Sequence, residues 1–381
     1  MKTDASSPPP PSEEAASPSM ERLPVHLWEQ VFSFLPVSTV LVSRAVCRLW
    51  DATLRSAPFS SLYAAAPARH EQLDDLHFLL FADLGSAAPF AAAYRPSQDR
   101  WSALPIPRPA CAASCFHRVH ASGGALVLAE QKNGSFVVHD LFAGVGHEIA
   151  PMVSLQGQSY ALGLIDNGQL GYKIVAVSTL DRVVSQVFDS ETCLWTWKGE
   201  FLGRFAVLGN SANLHGVLYC LSRAPDHLLA YELDSGEWSL VDVAMPPSCV
   251  VCPHLLVHRG ALFLIGGEEE GGDISRIVMW ELDGREKRWR VCGCMPDELL
   301  QEFRGQRMNH FYTLDRKGVV CFCNTSSNVL LMCDLRSMRW WWPKKCPFLI
   351  SADGHSWFGH ALEPRLGDFR CSVQFARHQK S

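Results

Sequence analysis

The sequence predicts a mainly β protein: a ring of stacked four-stranded units, preceded by a short helical unit. Two observations carry this. Residues 23–50, LPVHLWEQVFSFLPVSTVLVSRAVCRLW, carry helical periodicity and two Leu-Pro openings. Beyond about residue 60 the periodicity gives way to short apolar runs bounded by Gly, Asp, Asn and Pro, and a Trp-bearing segment recurs along the chain.

In the first region Leu27, Val31 and Leu35 fall at i, i+4 and i+8, one face of a helix. Pro24 and Pro36 sit where a helix tolerates proline, at its first turn. Val40 and Cys47 continue the apolar stripe, and Leu49, Trp50 and Leu54 follow on a third helix. A three-helix unit of roughly 45 residues is too small to bury a good core alone, so it calls for a partner.

In the second region VFDSETCLWTW (187–197), YELDSGEWSLV (231–241), WELDGREKRWRV (280–291) and MCDLRSMRWWW (332–342) overlay on one another. Each runs from an apolar segment through an Asp and a polar turn to a Trp: Trp195, Trp238, Trp289 and Trp340, at steps of 43, 51 and 51 residues. This is a hairpin whose Asp makes the turn and whose Trp opens the outer strand and packs onto the next unit. Strand-like runs at 172–177, 216–221, 261–267 and 319–323 precede the four tryptophans. Such a unit cannot bury both faces alone, so copies stack, and a period of about 45–50 residues with strand content fits a β-propeller. Two weaker units come earlier, one ending at Trp101 and one at 136–146 without a Trp. The count is six blades, with seven as the alternative. SWFGHALEPRL (356–366) is a leftover strand, expected to return to the first unit, which has only about three strands of its own, and to close the ring.

The expected organisation is a Pro/Ser-rich disordered leader over 1–20, the helical unit over 21–60, the propeller over 70–370 and a tail over 371–381. The leader, with Pro8 to Pro11 in a row, lacks the basic start and apolar block of a signal peptide. The 14 cysteines then read as reduced thiols of a cytoplasmic or nuclear protein. A net charge of −5 with no basic run of five offers no footprint for nucleic acid, and Leu76 to Tyr94 is too interrupted to span a membrane.

No residue set points to bond chemistry. Cys249, Cys252, His254 and His258 form C-x-x-C-x-H-x-x-x-H. Only Pro253 separates the two pairs, and on a strand the two histidines lie about 13 Å apart, so no metal is expected there. The two cysteines alone lack the helix N-terminus a redox pair needs. No cofactor motif is present, and the glycine-rich stretch 266–272 carries Glu268 to Glu270, which reads as a long hairpin loop with an acidic tip suited to a basic partner surface. In Trp340-Trp341-Trp342 the first and third share a strand face; one of the three is a candidate for an exposed binding surface.

The helical unit resembles the F-box through Leu23-Pro24, Leu27, Val31-Phe32, Leu35-Pro36, Arg44, Val46-Cys47-Arg48 and Trp50, departing at His26, where the family usually has an acid. The repeat resembles kelch most plainly at LFLIGG, with Gly266 and Gly267, followed by Trp280 and Trp289. Together they resemble the plant F-box/kelch-repeat proteins, nearest their developmental-regulator branch. Further echoes are Met295-Pro296 with Phe303, and Lys345-Cys346-Pro347 with Glu363-Pro364-Arg365. The resemblance implies a non-catalytic substrate receptor of an SCF-type ubiquitin ligase. Leu23, Pro24, Leu27, Val31, Leu35, Pro36, Val46, Cys47 and Trp50 would build the unit that holds a Skp-family adaptor, and through it a cullin. The propeller rim would hold a target protein. The other readings are a bridge that binds without degrading, and a propeller enzyme.

Overall fold

The structure, a computed structural model, describes residues 24–65, 76–81, 90–105, 116–123, 126–131, 136–140, 145–149, 158–166, 171–179, 182–203, 205–223, 226–246, 250–305, 308–327, 329–348 and 358–363. Leu23, Cys249, the leader and the tail lie outside them.

Four helices come first: α1 Val25–Ser33, α2 Val37–Ser43, α3 Arg48–Leu54 and α4 Ala57–Ala65. Pro24 and Pro36 stand at the N-caps of α1 and α2, one position before the first turn. The sequence pattern gave three helices and a boundary at 60. The boundary falls inside α4, whose Phe59 and Tyr63 complete the core formed by Trp28, Phe32, Val40 and Leu54. Ser56 starts α4 by accepting the Phe59 N–H at 3.2 Å, a side-chain N-cap.

Among the described residues twenty-four strands follow, in six antiparallel sheets of four. Blade 1 holds β1 His77–Phe81, β2 Phe90–Arg95 and β3 Arg100–Pro105. Blade 2 holds β4 Phe116–Gly123, β5 Leu126–Gln131, β6 Phe136–Asp140 and β7 Val145–Ile149. Blade 3 holds β8 Gln158–Asp166, β9 Tyr172–Thr179, β10 Arg182–Asp189 and β11 Leu194–Leu202. Blade 4 holds β12 Ala206–Leu214, β13 Val217–Arg223, β14 His227–Glu232 and β15 Trp238–Leu240. Blade 5 holds β16 Val250–His258, β17 Ala261–Glu270, β18 Asp273–Asp283 and β19 Arg288–Cys294. A fifth helix, α5 Asp297–Arg304, leads to blade 6, with β20 Phe311–Arg316, β21 Val319–Asn324, β22 Leu330–Asp334 and β23 Arg339–Trp341. The last strand, β24 Phe358–Leu362, pairs with β1 in register Phe78 with Ala361 and Leu80 with Gly359, and so becomes the innermost strand of blade 1. The innermost strands β24, β4, β8, β12, β16 and β20 touch in an unbroken ring. The leftover strand thus closes a six-bladed propeller, which removes the open sheet edges a linear stack would leave.

One turn recurs. Asp189, Asp283 and Asp334 each accept backbone N–H groups two residues on, at 2.8, 2.9 and 3.0 Å, the Asx turn the pattern calls for. The residue two before each repeat Trp is left-handed: Asp99, Cys193, Gly236, Lys287 and Met338, with φ between 45° and 77°. The Trp then lies opposite a residue seven earlier, with Tyr94–Trp101, Phe188–Trp195 and Tyr231–Trp238 ring centres 5.1, 5.4 and 4.9 Å apart.

The tryptophans pack backward around the ring, onto the preceding blade and not the next. Trp238 clusters with Val175, Val177 and Val183 of blade 3, and its indole N–H donates to Ser185 Oγ at 3.1 Å. Trp195, Trp289 and Trp340 reach blades 2, 4 and 5, and Trp101 reaches blade 6. The alternation of strand residues shows which of them share a face. It does not show which face looks backward, which the twist of each sheet and the direction of the ring decide.

Two other expectations change. The glycine-rich stretch is not a long loop: β17 and β18 extend through the glutamates and meet at a two-residue turn, Gly271–Gly272, with φ of 62° and 82°. Paired positive φ angles are those of a tight hairpin turn, and only glycine adopts them without strain. Gly266 and Gly267 let the strands close, since a Cβ on Gly266 would lie 2.4 Å from Val250 Cγ1. In Trp340-Trp341-Trp342 no ring is free. Trp340 and Trp342 pack into the seam between blades 5 and 6, Trp341 into that between blades 6 and 1.

Candidate functional site

Residues 24–65 carry two apolar stripes, and they do opposite things. In α1 the larger side chains, Trp28 and Phe32, point inward and are 4% exposed. Trp50 sits between them edge-on, its ring centre 5.6 Å from Trp28 and 4.7 Å from Phe32. Tyr63 Oη donates to the Leu35 carbonyl at 2.9 Å, tying α4 to the chain just past α1. The second stripe, Leu27, Val31 and Phe34 at i, i+4 and i+7, faces outward, with Val31 53% and Phe34 65% exposed. Val25, Val42, Val46, Leu49 and Leu62 are exposed as well, so eight of the fourteen exposed large apolar side chains of the described residues lie in this short segment. Single exposed apolar residues need no explanation; a concentration of them marks an interaction surface.

The residues singled out from the sequence therefore divide. Pro24, Leu27, Val31 and Val46 are exposed. Leu35 and Trp50 are half-buried against the small core, and Pro36 is half-buried where α2 begins. Cys47 is exposed, and its sulfur accepts the Trp50 N–H at 3.4 Å, capping α3. Phe34 and Val42 were not singled out, and Leu49 only as part of the apolar stripe of the third helix. For Phe34 the signal was present: α1 stops at Ser33, so the outward stripe runs 27, 31, 34, and 35 turns back to the core.

No acid occupies the first turn of α1. A charged cluster links α2 to α3: Asp51 Oδ1 accepts from Arg55 Nε at 2.8 Å and Arg44 Nε at 2.9 Å. Those two hydrogen bonds, Arg55 first, hold the Asp51 carboxyl below the usual carboxylate range.

On the propeller, His254 is held by its neighbours. Its ring lies 2.7 Å from Asn210 Nδ2 on β12 and 2.8 Å from Asp315 Oδ1 on β20, stitching three innermost strands together. His258, at the far end of β16, stacks its edge on Phe263 at 5.8 Å. Neither histidine meets Cys252, whose sulfur accepts the Phe311 N–H at 3.4 Å. Among the described residues no three His, Cys, Asp or Glu side chains converge as metal ligands do, and all ten cysteines are free thiols. No described helix is long and apolar enough to cross a membrane.

Comparison with known proteins agrees with this layout. Residues 20–60 match the F-box domain family, and residues 246–296 match the Kelch motif family, the latter on blade 5 where the double glycine lies. The chain is similar to F-box only protein 6 of Arabidopsis thaliana, 25% identical over 318 residues, which cover 81% of this chain and 65% of that protein. It is similar to an F-box/kelch-repeat protein of the same plant, 24% identical over 358 residues, covering 88% of this chain and 85% of the relative. It is also similar to the Arabidopsis Protein UNUSUAL FLORAL ORGANS, 23% identical over 369 residues, covering 88% and 81%. The chain spans just under two thirds of the first of these relatives and most of the other two.

Proposed function

From the premise that this chain joins an F-box to a kelch propeller, as F-box/kelch-repeat proteins do, we propose that it is the substrate-receptor subunit of an SCF-type ubiquitin ligase. The outward stripe Leu27, Val31 and Phe34, with Val46, holds a Skp-family adaptor and through it a cullin. The propeller rim holds a target protein. The observation that carries the reading is the apolar surface itself: the segment has a finished core around Trp28, Phe32 and Phe59 and still leaves eight large apolar side chains in water.

The receptor does no bond chemistry in this reading. It raises the local concentration of a target near a charged ubiquitin-conjugating enzyme, and a tethered reaction gains from effective concentration alone. On this proposal the place of action is the cytoplasm or nucleus, where the 14 cysteines of the sequence stay reduced.

The test is adaptor binding by the purified full chain. Val31→Asp puts a charge on an exposed face, so the protein stays folded and adaptor capture is lost. Retained capture by a folded Val31→Asp protein contradicts the docking face. Leu35→Asp does not serve, because Leu35 belongs to the core.

A further inference from the structure

At the seam between blades 5 and 6 lies a cavity of about 260 Å³. It opens on the rim that carries the first and third turns of each blade, the opposite rim from α5 and the Gly271–Gly272 turn. Its lining is mixed: Phe263 and Met279 of blade 5 and Leu335 and Met338 from the last turn of blade 6 are apolar, and His258 stands beside them. The left-handed backbone at Met338 (φ 51°) and the bare Cα of Gly293 seat that side chain; a Cβ on Gly293 would come 2.6 Å from Met338 Cε. Two charged groups of opposite sign, Arg259 and Glu281, stand at the lining and are exposed. Among the described residues neither is in an ion pair. Glu281 lies directly across from Phe263 on the neighbouring strand, so both side chains share the face that lines the cavity.

We infer that this cavity is an anchor pocket for one Leu- or Met-sized side chain of an extended segment of a target protein. The inference rests on the receptor reading above and places target contact on this rim. The volume falls below the roughly 300–1,000 Å³ of small-molecule pockets, and suits one side chain. Methionine walls adapt to a flexible apolar guest. An anchor enters with its flanking peptide groups, and these need one donor and one acceptor at the mouth. Arg259 donates to a peptide carbonyl and Glu281 accepts a peptide N–H, each remaining satisfied. Neither an acidic nor a basic guest matches a mouth of mixed sign.

Cys292 also lines the cavity and reports on its occupancy. Cys292 is an exposed residue whose Sγ donates to the Met279 carbonyl at 3.3 Å; desolvation of that sulfur, with Glu281 nearby, pushes its thiol up to about 11, so alkylation is slow enough to time. The full chain, mixed with a purified Skp-family adaptor, is treated with iodoacetamide in the presence of capped nine-residue Gly/Ser peptides bearing Leu, Met, Asp or Gly at the centre. Modification at each cysteine is followed by mass spectrometry. The expected result is a threefold or greater slowing at Cys292 with the Leu and Met peptides, no slowing with Asp or Gly, and no change at exposed Cys47. Ala261→Leu, which fills the pocket from its wall, abolishes the protection, and Glu281→Lys, at an exposed position, weakens it. Equal protection by all four peptides, or by none, overturns the pocket. Adaptor capture is read on the same samples: capture without protection overturns the pocket alone, and protection without capture overturns the receptor reading alone.

Discussion

Phe34 offers the sharpest separation between folding and docking. It is 65% exposed, so little of its ring supports the four-helix core. An aromatic side chain buries about 150–250 Å² when fully covered, which leaves roughly 130 Å² for a partner. At about 25 cal/mol per Å² that is about 3 kcal/mol, and incomplete burial and side-chain ordering reduce it to about 1.5–3 kcal/mol. Phe34→Ser should therefore weaken adaptor binding by roughly 10- to 150-fold, while thermal unfolding moves by no more than the half kcal/mol typical of surface changes. Isothermal titration of the purified adaptor, beside a melting curve of each variant, reads both. The core residue Trp28, 4% exposed, is the contrast: Trp28→Ala should cost about 3–5 kcal/mol of stability in that unit and lose binding through unfolding. A folded Phe34→Ser protein that binds within twofold of the parent would refute the outward assignment of the 27-31-34 stripe.

Further outcomes are expected of the propeller. Trp238→Ala should cost about 3–5 kcal/mol in chemical unfolding, and Ser185→Ala, which removes the acceptor of its indole N–H, about 1 kcal/mol. Gly359→Val should lower stability by about 1–3 kcal/mol or more, because any Cβ there comes within 2.6 Å of the Leu79 carbonyl and forces β24 off β1. Burial, with help from His147, pushes His139 down to about 3, below its unfolded value of 6.5. The neutral form is the one folded, so stability is full above pH 6.5 and falls by up to about 1.4 kcal/mol per pH unit as pH drops toward 3. His139→Leu should flatten the fall in urea midpoint between pH 7 and pH 5. Burial also pushes Cys220 up to about 12, so in the native protein Cys47 and Cys294, both exposed, should alkylate well before it; early modification of Cys220 would contradict its place between blades 3 and 4.

The propeller was legible because its repeat is written in turn chemistry. The Asp-turn-Trp segments survive where the double glycine does not, and a strand left over at 356–366 had nowhere to pair but the three-stranded first unit. What sequence could not show is direction and depth. The sequence reading took the single stripe Leu27, Val31 and Leu35, but the bulkier Trp28 and Phe32 took the interior and Leu27 and Val31 the surface. The fourth helix was missed because Phe59 and Tyr63 give one helical step among Ser and Ala, too little periodicity to stand out. Glu268 to Glu270 read as loop residues because charge suggests solvent, yet a charged strand end is satisfied once it pairs, as Glu268 does with Arg276 at 2.9 Å. The cavity at the seam depends on two blades meeting, which is not written in local pattern, although the left-handed backbone at Met338 recurs two residues before each repeat Trp.

The receptor reading is tested most directly by co-purification of the full chain with a Skp-family adaptor and a cullin, beside a version lacking residues 1–65, the cut that removes α4 whole. The account predicts that the full chain recovers both partners and the shortened one recovers neither. Recovery by both versions, or by neither, would contradict it.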